Sequence, residues 1–242
     1  MVITRYTVKG PKLKAAVVAD LHGQPTEKLV VVLQAEQPDV ILIPGDLCTI
    51  GEYAPEDVKR RERSLGEQER VLAFLKTVAS VAPIFYARGN HEWGMDDTYR
   101  EAVKATGTVL LENEWVRFSD VWIGGQNSAQ RCGLEKLTDE LKPPKTEWLK
   151  DSPDGFRILL CHHPEYYALV EHAADLVLSG HAHGGQWQVF HRGVFAPGQG
   201  IFPKYSRGQY GKMILSAGLT NTTPLIPRFF NPTELVIVEI GQ

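Results

Sequence analysis

The sequence predicts an α/β protein built around buried sheets that are partly parallel. Three observations carry that reading. Continuous apolar runs such as Asp39–Ile43 and Ile84–Ala87 read as strands covered on both faces. Amphipathic segments of helical period lie between them. Run after run ends on Asp, Asn or His, where open α/β sheets place their ligand sites.

The elements follow in order. Lys14–Ala19 is a first short strand, ending at Asp20. Residues 26–37 form a helix, with Thr26 placed to cap it and Leu29, Val30 and Leu33 on one face; Pro38 ends it. Asp39–Ile43 is a strand broken by Pro44-Gly45. Gly51–Arg70 is the most charged stretch and reads as a solvated loop and helix face, leading into a helix over 64–81. Ile84–Ala87 runs into Arg88-Gly89-Asn90. Val109–Leu111, Trp115–Phe118 and Val121–Ile123 suggest a meander stopped by Gly124-Gly125. Arg157–Cys161, Asp175–Ser179, Gln186–Phe190, Lys212–Ser216 and Leu235–Ile240 complete the strands. No repeat, low-complexity tract or composition shift divides the chain, so one domain over 1–242 is expected.

Composition narrows the function classes. With 242 residues, 43% of them hydrophobic, the chain can bury a core that needs no disulfides. Its net charge of −3, with bases read as matched by acids along the chain, gives no electrostatic footprint for nucleic acid. Cys48, Cys132 and Cys161 are scattered, which points to a reducing compartment. The polar segment Met1–Leu13 has no apolar signal-like core, and no run is long enough to span a membrane. The expectation is a cytoplasmic protein; a chain trimmed of a leader or anchor would read the same. Serine-elbow, Walker A and His-Glu-x-x-His patterns are absent.

Five short blocks carry the chemistry: Asp20-Leu21-His22, Gly45-Asp46, Gly89-Asn90-His91-Glu92, His162-His163-Pro164 and Gly180-His181-Ala182-His183. If strand geometry persists, the two-residue spacing puts Asp20 and His22 on one face. The same holds for His181 and His183, although the flanking glycines would also let them part. Carboxylates offset an ion's charge and can bridge two cations. Imidazoles favour Mn, Fe or Zn over Ca or Mg. No cysteine occupies a ligand position, which argues against a structural zinc site.

This ordered series resembles the calcineurin-like metallophosphoesterase superfamily. The stretch from His181 to Gln186, followed by Gly200-Ile201-Phe202-Pro203-Lys204-Tyr205, resembles its bacterial predicted-phosphohydrolase branch. The resemblance implies a β-sandwich of two mixed sheets flanked by helices, with the site at strand carboxyl ends. It implies two divalent or mixed-valence transition-metal ions. Asp20, His22, Asp46 and His183 would hold one; Asp46, Asn90, His162 and His181 would hold the other, with Asp46 shared. It implies hydrolysis of phosphodiester, phosphomonoester or pyrophosphate bonds by a hydroxide bridging the two ions. His91 would be the general acid, oriented by Glu92. Some relatives in the branch act on lipid-linked or cell-envelope phosphates, so an amphipathic substrate and a peripheral membrane contact are expected alternatives. A catalytically weak binding or scaffold protein is the competing class, disfavoured because the ligand set is complete.

Several residues admit two readings. His163 competes with His162 as ligand. Arg88 could meet a phosphate or form a surface pair. Lys204 and Arg207 could bind phosphate or ride on a surface loop. Residues 222–232, with Phe229-Phe230, could face lipid or pack on the core. Trp93 could wall the pocket or simply pack. His172 and His191 read as surface or packing residues, and Cys161 as a buried small side chain facing away from His162.

Overall fold

The computed structural model describes residues 1–51, 53–54, 56–130, 142–189, 192–220 and 227–241. In chain order the elements are β1 (Val2–Lys9), β2 (Leu13–Val17), α1 (Glu27–Glu36), β3 (Val40–Ile43), α2 (Val58–Val78), β4 (Ile84–Ala87), α3 (Asp97–Ala105), β5 (Val109–Leu111), β6 (Glu114–Phe118), β7 (Val121–Gln126), β8 (Phe156–Cys161), α4 (Tyr167–Val170) and β9 (Leu176–Ser179). Four two-residue strands follow: β10 (Gln188–Val189), β11 (Arg192–Gly193), β12 (Phe195–Ala196) and β13 (Gly200–Ile201). β14 (Gly208–Tyr210), β15 (Met213–Leu215) and β16 (Glu234–Gly241) close the chain.

Two six-stranded mixed sheets result, ordered β1-β16-β2-β3-β4-β5 and β14-β15-β9-β8-β7-β6. The strands β2 to β5 run parallel, as do β7, β8, β9 and β15. Each central strand is buried on both faces because its alternate residues enter different cores. Ile41 and Ile43 face α1 and α2, while Val40 and Leu42 face the second sheet. Likewise Leu160 enters the layer between the sheets, and Leu159 and Cys161 enter the outer layer with Tyr166 and Val170. Two sheets pressed face to face with helices outside explain why these strands read as unbroken apolar runs.

Local expectations are corrected at several points. The meander is divided between the sheets: β5 joins β4 in the first, and after a turn at Asn113 (φ 61°) β6 pairs with β7 in the second. Gly124 and Gly125 do not stop β7; they lie inside it, where a side chain would collide with Trp115 and Leu111. The polar N-terminus forms β1, an edge strand whose pattern alternates exposed and half-buried positions beside β16. The helix α3 was not expected, and Asp96 caps it by accepting from the Tyr99 N–H at 2.8 Å. At α1, Thr26 occupies the capping position, but its side chain makes no capping bond. The charged stretch over 51–70 becomes helical from Val58, six residues before the expected start.

The layer between the sheets sets their separation, so it sets the distance between the loops they carry. Leu160→Ala should cost about 2–5 kcal/mol, read as a lower denaturation midpoint. A midpoint within experimental error of wild type would contradict this packing.

Candidate metal centre

The carboxyl ends of β2, β3, β4, β8 and β9 meet at one edge of the sandwich, and each is followed by one of the five blocks. Backbone bonds tie the loops together. The Asp20 N–H donates to the Gly45 carbonyl at 3.2 Å, and the His22 N–H donates to the Asp46 carbonyl at 3.1 Å. The Gly180 N–H donates to the His162 carbonyl at 3.1 Å. Asp20 links the two sheets by accepting from the His181 N–H at 3.0 Å.

The strand-period argument for pairing Asp20 with His22 does not hold. Both residues lie beyond β2 in left-handed backbone, at φ 54° and 48°. Asp46, His181 and His183 are also left-handed, at 59°, 71° and 47°. Such conformations cost about 1–3 kcal/mol each and persist only where surrounding contacts impose them. They bend the chain at three of the five blocks, those of Asp20, Asp46 and His181.

Asp20, His22 and His183 present ligand atoms within 4.8 Å of one another. Asp46, His162 and His181 form a second such group, and His22, Asp46 and His91 a third between them. Asp46 is at the centre. Its Oδ2 lies 3.0 Å from His162 Nε2, 3.8 Å from His22 Nε2 and 3.9 Å from His91 Nε2. Asn90 Oδ1 stands 3.0 Å from His162 Nε2. Gly89 packs so closely on Asp46 that a Cβ there would overlap Oδ1. A Cβ on Gly45 (φ 125°) would come within 2.6 Å of the Gly89 nitrogen.

The donor chemistry fits borderline transition metals: imidazole nitrogens, carboxylate oxygens and one amide oxygen, with no thiolate. Both ring nitrogens of His22, and Nδ1 of His162, are buried without a hydrogen-bond partner among the described residues. Such atoms need a ligand to offset their desolvation. Burial holds His22 and His181 well below the ordinary histidine range, and burial together with Arg228 lowers His183 to about 3. These rings are neutral, as ligation requires. Burial raises Asp20 to about 7. Burial alone would raise Asp46 too, but His162, His91 and His22 hold it well below the carboxylate range. At His162 burial lowers the pKa, and Asp46 outweighs it, lifting the ring to about 9.

Several contacts were not legible from the sequence. Glu92 bonds to backbone groups around Asp46. Its fully buried carboxylate accepts from the N–H groups of Asp46 at 3.0 Å, Gly89 at 2.8 Å and Cys48 at 3.2 Å. It therefore fastens the Asp46 loop to the Asn90 loop. The group beside the His91 ring is Thr49, whose Oγ1 lies 3.0 Å from Nδ1. α2 positions Thr49 in turn: Glu67 accepts its N–H at 3.0 Å, and the Ser64 hydroxyl donates to its carbonyl at 2.6 Å. Arg228 donates to the carbonyls of His183 at 2.7 Å and of Ala217. Asn231 donates to the same His183 carbonyl at 2.7 Å. No motif spacing marks Thr49, Arg228 or Asn231.

The open residues find places. His163 turns toward Ser128 Oγ at 2.7 Å and Glu165 at 3.7 Å; it lies outside the Asp46 group but presents ligand atoms together with Glu165 and His181. Arg88 pairs with Glu112 at 3.0 Å. Arg207 pairs with the buried Glu234 at 2.6 Å, and exposed Lys204 lies over the Tyr205 ring at 4.8 Å. Trp93 is half-buried, His172 is exposed, and Cys48 and Cys161 are buried free thiols. Cys132, His191 and residues 222–226 lie outside the described residues. Phe229 and Phe230 do not pack on the core; they are 53% and 88% exposed.

Glu92→Gln tests the fastening role. An amide offers one oxygen where the carboxylate offers two, so at least one buried N–H loses its acceptor. The expected loss is about 1–3 kcal/mol of unfolding free energy. An unchanged denaturation midpoint would show that the two loops hold without it.

Comparison with known proteins accords with this geometry. A family model described as calcineurin-like phosphoesterase matches residues 13–185. The chain is 29% identical over 224 residues to the uncharacterized metallophosphoesterase Cj0846 of Campylobacter jejuni, covering 91% of this chain and 55% of that one. It is 27% identical over 259 residues to an uncharacterized metallophosphoesterase of Aquifex aeolicus, covering 98% and 91%. Among solved structures, TT1561 of Thermus thermophilus superposes with a TM-score of 0.50 at 14% identity, covering 70% of this chain and 82% of that one. The chain thus spans about half the length of the Campylobacter relative and nearly all of the Aquifex one. A match over residues 13–185, which take in all five blocks, places this chain in the calcineurin-like phosphoesterase family.

Proposed function

We propose that this chain is a dinuclear metal-dependent phosphoesterase, acting as one domain over 1–242 on phosphodiester, phosphomonoester or pyrophosphate bonds. The observation that carries the reading is the buried Asp46 carboxylate, with a ligand group on either side of it. Asp20, His22, Asp46 and His183 would hold one ion, and Asp46, Asn90, His162 and His181 the other, with Mn, Fe or Zn suiting the donors. Such a pair supplies a Lewis-acid clamp for a phosphoryl group and lowers the pKa of water between them.

The chain's own residues supply the rest. The side chain of His91 is 18% exposed, against 6% for His22 and none for His162. It is the imidazole of this set best placed to meet a substrate. Thr49 at Nδ1 fixes the ring so that Nε2 faces the Asp46 side, where a leaving oxygen would need a proton. Burial lowers the His91 pKa, so the protonated ring is a stronger acid while a smaller share of it is protonated near neutral pH. Free Cys48 and Cys161 support a cytoplasmic location. No helix among the described residues is long and apolar enough to cross a membrane. Lipid-linked or cell-envelope phosphates are the amphipathic candidates within this substrate class, supported by exposed Phe229 and Phe230 beside Arg228.

Reconstitution with Mn, Fe or Zn followed by assay on a chromogenic phosphodiester tests the reading. His91→Ala should retain both metals and lose about 10²–10⁴-fold in kcat. Equal turnover by metal-stripped and reconstituted protein would overturn the proposal, and normal turnover by His91→Ala would remove the acid role. Thr49→Val should lower kcat with little change in metal content. The raised His162 pKa adds a pH signature. Because His162 carries a proton below about 9, a metal must displace it. Metal affinity should therefore climb as pH rises toward 9 and level off above. Affinity flat across neutral pH would argue against His162 as a ligand.

A further inference from the structure

Beyond the metal centre, the chain carries an apolar, basic lobe that the proposed chemistry does not use. It comprises β10 to β13 and the segment around Phe229. The Trp187 ring packs on Phe229 at 6.1 Å, and its indole N–H donates to the Pro227 carbonyl at 2.9 Å. Phe195 pairs with Ile201 across β12 and β13. Backbone bonds join the two parts: the Val194 N–H donates to the Trp187 carbonyl and the Phe202 N–H to the Val194 carbonyl, both at 2.8 Å.

The lobe displays large apolar side chains to solvent. Ile201 is 71% exposed, Phe202 80% and Phe230 88%. Phe202 and Phe230 also sit in left-handed backbone, at φ 54° and 53°, which is strained for bulky residues. Neither gains burial of its ring in exchange. Clustered exposed apolar groups of this kind mark a surface that meets something else.

Charge identifies the occupant. The expectation that bases are matched by acids along the chain fails here. From Leu176 to Thr233 the sequence has no Asp or Glu, while it has Arg192, Lys204, Arg207, Lys212 and Arg228. Arg207 pairs with Glu234, just beyond this stretch, and Arg228 and Lys212 donate to backbone carbonyls, so Arg192 and Lys204 carry its free charge. Arg192 and Lys204 are exposed and make no ion pair among the described residues. A second copy docking through the same face would oppose cation to cation. Exposed apolar side chains on a lobe that also carries the exposed cations Arg192 and Lys204 match a lipid surface with anionic headgroups, where rings enter the acyl boundary and the cations stay among the phosphates.

The lobe is fastened to the metal centre. Arg228, next to Phe229, and Asn231, next to Phe230, both donate to the His183 carbonyl at 2.7 Å. Gly198, in the turn between β12 and β13, lies close enough to His181 that a Cβ there would be 3.6 Å from Nε2. We propose that this lobe docks the protein on an anionic membrane surface and brings the metal centre to its phosphates. Docking stands apart from hydrolysis, because binding is read without turnover.

Sedimentation with vesicles tests it, comparing equimolar phosphatidylcholine and phosphatidylglycerol with phosphatidylcholine alone. The full chain should sediment with the anionic vesicles, and added salt should release it. The double variants Phe202→Ser/Phe230→Ser and Arg192→Glu/Lys204→Glu should each weaken partitioning by about tenfold or more while keeping the wild-type unfolding midpoint. No sedimentation with anionic vesicles would overturn the proposal. So would wild-type partitioning by both double variants, or a concentration-dependent dimer that the phenylalanine variant abolishes. Loss of phosphodiesterase activity alone would bear on the metal chemistry and leave docking intact.

Discussion

The structure depends on one buried carboxylate. Asp46 ends the loop after β3 in the first sheet, and it faces His162 from the end of β8 in the second. One of its oxygens also accepts the His91 N–H at 3.0 Å. An isolated carboxylate could not stay ionised at this depth. It does so because imidazoles from three loops surround it. The two sheets must therefore meet at this edge, and the loops must bend sharply to let them. The left-handed backbone at Asp20, His22, Asp46, His181 and His183 is the cost of that convergence.

The surrounding scaffold meets that cost with hydrogen bonds and close packing. Glu92 takes three backbone N–H groups, those of Asp46 and Cys48 in one loop and of Gly89 in the other. The absence of a side chain at Gly89 lets the carboxylate approach the backbone. α2 is part of this support, although its outer face is merely charged. Its inner residues Ser64, Glu67 and Arg70 hold Thr49 and the carbonyl of Gly23. Replacing a whole buried ion pair by well-packed apolar residues is often neutral or stabilising. Here a cluster of buried carboxylates and imidazoles is retained, which is expected where ions complete the electrostatics.

Much of this was legible in the sequence. The buried strands showed as unbroken apolar runs, because both faces of each are covered. The five blocks showed because Asp, Asn and His end strand after strand, and the fold brings those ends to one edge. The rest had no local signature. Thr49, Arg228 and Asn231 act through the fold, meeting His91 and the His183 carbonyl across more than forty residues of chain. The split of β5 from β6 depends on one turn at Asn113, which strand propensity does not register. Spacing brought Asp20 and His22 into one group for the wrong reason: the chain there is bent, and tertiary contacts override the strand period.

The five blocks and the proposed docking lobe occupy different parts of the chain. The ligand blocks come from both sheets, whereas the exposed rings and unpaired cations belong to a lobe hung from His183. The central claim concerns the first of these, namely that two ions share Asp46. Anomalous diffraction from crystals of the manganese-reconstituted protein tests it most directly. Two peaks should flank the Asp46 carboxylate, one within reach of Asp20, His22 and His183, the other within reach of Asn90, His162 and His181. A single peak, or a pair that leaves Asp46 without a metal contact, would contradict the account.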